Sequence, residues 1–292
     1  GVSSKGNSGA MYVGTGTSAS GRGGSVYVTI GSGNSGTGGD VVLMAGSSSF
    51  AAGGQIYLSG GTSSVASGGR VWIKSGFSSA TSSGVVGIMS SDSATGAGVS
   101  GYMLMSTGIS SDGNSGGMYI GTGTSSSGRG GVVSVTVGSG DSGAGGDVVI
   151  TAGGTSSTQA IGTGGQIYMS GGTSASQTGG RVFIRSGVST ADTSGALGVV
   201  TAASGTGGVS GYLVMSTGVS SKGNSGAMYV GTGTSSSGRG GSVYVTIGSG
   251  NSGTGGELVL SGGNSAQHSG GRVVIKTGFG SSSSSGSLYI SA

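Results

Sequence analysis

The chain has 292 residues, 76 of them Gly, with no Pro, no Cys and only 6% charged side chains. Collagen is excluded, because Gly does not fall at every third position and Pro is missing. The net charge of +4 comes from dispersed basic residues and argues against a nucleic-acid partner, and no apolar run approaches the roughly 20 residues that a membrane span needs.

Composition alone would suggest a flexible Gly/Ser chain. The 33% of hydrophobic residues argue otherwise, because they sit at fixed positions. The chain opens in mid-repeat at Gly1, without Met or a secretory signal, as expected of a segment of a longer protein. Two glycines or a Ser-Gly, then alternating aliphatic residues, recur about every 15 residues: GGSVYVTIG at Gly23, GGDVVLMAG at Gly38, GGQIYLSGG at Gly53, GGRVWIKSG at Gly68. There are 19 such units, from Ser8 to Ser285. Alternation predicts a half-buried strand in each unit, and a short regular period predicts stacking. The expected fold is all-β: one continuous β-solenoid over 1–292, with about 19 coils of ~15 residues.

Stacking would turn the strands into columns. One runs Val26, Val41, Ile56, Val71, Val86 and on to Leu288; a second runs Val28, Leu43, Leu58, Ile73, Ile88 and on to Ile290. Both are aliphatic throughout and are expected to form the core. The column between them varies from Gly87 to Trp72, which a dense interior would not tolerate, so it is expected outside. The small polar remainder of each unit reads as turns and a second short strand, with the Gly pair allowing two backbones to approach closely.

A longer period overlies the short one. KGNSGAMYVGTGTS at Lys5 returns as DGNSGGMYIGTGTS at Asp112 and KGNSGAMYVGTGTS at Lys222, giving super-repeats of about 1–107, 108–217 and 218–292. The third has lost one unit, so the ladder Asp40, Gln55, Arg70 shortens to Glu257, Arg272. Stacking would make Glu257 and Arg272 neighbours, and a surface salt bridge of small worth is expected between them.

Chemistry is sparse. GxG strings such as Gly14-Thr15-Gly16 do not open a helix, as a phosphate loop requires. Asp is missing from most units, unlike in calcium-binding β-rolls. His268 is the only His, with no partner for a metal site or a triad. No enzyme activity, catalytic residue, cofactor or metal is expected. Lys74, Arg185 and Lys276 stand beside Arg70, Arg181 and Arg272, one basic pair per super-repeat. They read as solvated charges that block aggregation, or as contacts to a neighbouring filament or an acidic polysaccharide. Tyr12, Tyr27, Tyr57, Trp72, Tyr119, Tyr168, Phe183, Tyr229, Tyr244 and Tyr289 form an outward aromatic strip, expected to pack laterally on another copy or another protein.

The coil GGxVxVxxGSGxSGx, with GNSG and GTGTSSSGRGG in its super-repeat, resembles the very long Ser/Gly-rich repeat proteins of microalgae and related protists. The resemblance covers the whole chain. It implies an extracellular or cell-surface role and supplies no catalytic residues. The expected function is the shaft of an extracellular filament or fibre that self-associates or packs on a filament partner. An adhesin spacer stalk and an ice-binding solenoid are the alternatives, the second weakened because Lys74, Met89 and Arg185 interrupt the outward face. With no Asn-x-Ser/Thr sequon, any sugar would be O-linked.

Overall fold

The computed structural model describes residues 1–4, 6–93, 98–156 and 162–291; Lys5, which opens the first super-repeat motif, lies outside them. Among the described residues there is no helix and no strand. The chain is a loose, non-regular coil, and the expected all-β solenoid is not formed.

The 15-residue period survives as a rhythm of bends. In the first super-repeat the chain bends at 19–21, 34–36, 49–51, 64–66 and 79–81. In the second it bends at 111–113, 126–128, 141–143, 175–177 and 190–192, and in the third at 221–223, 236–238, 251–253, 266–268 and 281–283. Between bends the chain is unbent and non-helical, which means extended. The aliphatic alternation occupies these extended stretches, and the Ser-rich remainder occupies the bends. Ser Oγ fixes many bends by accepting the amide three residues on, as Ser48 does from Ala51 (3.0 Å), Ser63 from Ala66 (3.0 Å) and Ser189 from Asp192 (2.8 Å). These are the short-range bonds that make Ser a turn residue. Gly36, Gly143 and Gly253 occupy equivalent bends with φ of 82°, 76° and 83°, a region that a Cβ disfavours.

The chain divides into two units, Gly1–Val148 and Val149–Ala292. In the first, bends are closed by backbone bonds from Gly54 N to Gly46 O, Gly69 N to Gly61 O and Gly84 N to Gly76 O, at 2.8, 2.8 and 3.0 Å. The second unit repeats the device at Gly180–Gly172, Gly195–Gly187, Gly271–Gly263 and Gly286–Gly278, and over a longer loop at Gly165–Gly153. These closures explain why no solenoid forms. A coil of 15 residues would lay Gly69 over Gly54. Instead Gly69 lies against Gly60 and Gly61, and Gly60 lies against Gly69 and Arg70. The partner number falls as the chain number rises, so the chain doubles back at the bend. Consecutive extended stretches are joined at this pinch and nowhere else by backbone bonds among the described residues, so no ladder develops.

The pinch also explains the Gly pair. A Cβ on Gly24 would sit 2.8 Å from Thr15 Cβ, on Gly39 2.7 Å from Ile30 Cγ2, on Gly146 2.8 Å from Val137 Cγ1 and on Gly256 2.8 Å from Ile247 Cγ2. At these four positions the second Gly of the pair faces the residue nine positions earlier and has no room for a side chain.

No hydrophobic or polar side chain is buried among the described residues, and the two aliphatic columns are not a core. The accessible area is 29098 Å², against about 11,000 Å² for a compact chain of this mass and about 39,000 Å² for an open one. Partial shielding is confined to small residues at the bends and pinches, among them Gly60, Ser75, Ala152, Gly171, Ser186 and Gly262. The physical reason is volume. Stretches come close only at the pinches and bends, where Gly, Ser and Thr offer nothing large enough to cover an apolar side chain.

Candidate interaction surface

The predicted aromatic strip is exposed throughout, from 78% at Trp72 to 96% at Tyr119. Apart from Tyr168 and Tyr289, each ring sits in an extended stretch between two bends, six residues after the first of them. The flanking aliphatic positions are less open: Val26, Ile56 and Val71 are 54–55% exposed, and Tyr27 is 86%. Both sides of each stretch nevertheless meet solvent, so there is no inner and outer face. Tyr168 Oη donates to Gln166 Oε1 two residues back, which fits side chains sharing one side of an extended chain.

Glu257 follows Gly256 and Arg272 follows Gly271, and both are exposed. The bend sets the Arg272 backbone nitrogen against Gly262. Their salt bridge was expected from stacked coils, so it now rests on the sequence register alone. Arg70, Lys74, Arg181, Arg185 and Lys276 are likewise exposed.

The sequence reading missed a closure that occurs once per super-repeat. Thr15 Oγ1 donates to Gly24 O (3.0 Å), Thr122 Oγ1 to Gly131 O (3.3 Å) and Thr232 Oγ1 to Gly241 O (3.2 Å). Here a side chain takes the place of the Gly–Gly backbone bond. The signal was present as a constant separation of nine residues between Thr and the second Gly. Thr15→Val keeps the shape and removes the donor. Its expected cost is ~0.5 kcal/mol, the low end for a hydrogen bond within reach of water, seen as about twofold faster amide exchange around Gly24.

No cavity, and no group of His, Asp and Glu that could hold a metal ion, occurs among the described residues. His268 lies in a bend, where its backbone amide donates to Ser265 Oγ (2.9 Å). No helix among the described residues is long and apolar enough to cross a membrane. Comparison with protein-family models, curated proteins and solved structures found no match to this chain. The resemblance to the Ser/Gly-rich repeat proteins of protists therefore rests on the repeat motifs alone.

Proposed function

We propose that this chain is a structural repeat protein of an extracellular or cell-surface filament, and that it works by packing its extended stretches against other copies of itself. One observation supports the reading most: every extended stretch carries large apolar side chains, and none of those described is buried. Soluble monomers rarely leave contiguous apolar surface of this extent open. The surface recurs with each 15-residue unit, so one copy offers the next an equivalent surface at many registers. Charge opposes association weakly, because only 6% of residues are charged. The bends would then set the length of each packed stretch, and the load would be shared among many small contacts.

Electron microscopy of material from the native source tests the reading. Ordered filaments with several laterally packed chains are expected. Isolated single chains with solvent on all sides would overturn lateral packing and favour a spacer stalk.

A further inference from the structure

We infer that each super-repeat carries one binding site for an acidic polysaccharide, built from Arg70, Trp72 and Lys74 in the first, Arg181, Phe183 and Arg185 in the second, and Arg272, Val274 and Lys276 in the third. The chain runs unbent and non-helical from 67 to 78, from 178 to 189 and from 269 to 280. On extended chain, alternate residues share a side. Each triplet therefore presents cation, apolar plate, cation along one side, with the two charges about 13 Å apart at the usual rise of an extended chain. All six basic residues are exposed, and Trp72 and Phe183 are 78% and 79% exposed.

These stretches are held at both ends. Each lies between two backbone closures: Gly61–Gly69 and Gly76–Gly84, Gly172–Gly180 and Gly187–Gly195, Gly263–Gly271 and Gly278–Gly286. The pinch before each triplet is the tightest of the bends, with a Cβ on Gly60, Gly171 or Gly262 falling 2.3–2.4 Å from the facing carbonyl oxygen. The stretches that carry Tyr12, Tyr119 and Tyr229 have no such pair of closures. Sequence and structure thus place the paired charges on stretches closed at both ends, which lowers the ordering cost of binding. The bends flanking the triplets hold one acid, Asp192, and its Oδ1 already accepts from Thr193.

The chemistry favours a polysaccharide over a nucleic acid. Two cations per site, separated by 107 and 87 residues from the next pair, cannot track a densely charged backbone. They suit a chain with sparse carboxylates or sulfates, whose sugar faces lie on the indole or phenyl ring. Three weak sites on one chain would gain by linkage. The inference does not depend on self-association.

The test uses the full chain with heparin as sulfated probe, dextran as neutral control and single-stranded DNA as competitor. Arg70→Gln, Arg181→Gln and Arg272→Gln together are expected to weaken heparin binding about tenfold, since one contact is lost at each linked site. Arg22→Gln, Arg129→Gln and Arg239→Gln remove the same charge from the residue after a bend and are expected to change it less than about twofold. Trp72→Ala with Phe183→Ala, which leaves the charge untouched, is also expected to weaken it. Equal losses in the two charge variants, no heparin binding by the natural chain, or displacement of heparin by DNA would each overturn the proposal. Filament formation is scored separately, so failure here leaves the packing reading standing.

Discussion

Gly60→Ala is expected to open the bend between Gly61 and Gly69, and Gly61→Ala is expected to leave it closed. A Cβ on Gly60 would lie 2.3 Å from Gly69 O and 2.8 Å from Gly69 C, where only backbone could yield. A Cβ on the adjacent Gly61 would meet nothing within 4 Å. The first substitution therefore breaks the bond from Gly69 N to Gly61 O, and the second does not touch it. A backbone bond worth about 1 kcal/mol predicts roughly fivefold faster exchange of the Gly69 amide in Gly60→Ala. Ala also narrows the open chain relative to Gly, so Gly61→Ala should exchange no faster than the natural chain. Equal behaviour of the two variants would mean that the chain does not double back at this bend.

Val28→Glu, Val135→Glu and Val245→Glu together are expected to abolish assembly and to leave the single chain unchanged. These residues are 73%, 76% and 64% exposed, so a carboxylate there stays in water while the chain is alone. Packing against another copy would bury it unpaired, at a cost of several kcal/mol for each ion. Ser20→Glu, Ser127→Glu and Ser237→Glu place the same charge in bends and are expected to keep assembly. Sedimentation of the two variants across a concentration series separates the outcomes. Loss of assembly in both would point to general repulsion, and retention in both would remove the aliphatic positions from any interface.

The 15-residue period and the exposure of the aromatic positions were both legible from the sequence. The close approach at the Gly pair was legible too, since two adjacent glycines recur where the chain must pass near itself. The direction of the chain was not. Alternation in GQIYLSG reads the same whether the next stretch stacks on it or doubles back. What decides is the loop between Gly61 and Gly69, where Ser63 caps a bend and the backbone closes over eight residues. The core was misjudged for a related reason. Alternation shows which side of a stretch is apolar, as Val26 and Val28 against Tyr27 illustrate, but not whether anything covers that side. The Thr15, Thr122 and Thr232 closures escaped because their signal is a separation within the unit, whereas the columns compare positions between units.

The central claim is that a single chain is held at its bends and buries no core. Amide hydrogen exchange on monodisperse, dilute chain tests it most directly. Protection is expected at the closure amides, such as Gly54, Gly69, Gly84, Gly180 and Gly271, and little at Val26–Ile30 or Val243–Ile247, whose amides make no closure bond. Strong protection running through those apolar stretches in the isolated chain would contradict the account, because it would mean that they are sealed by the chain itself.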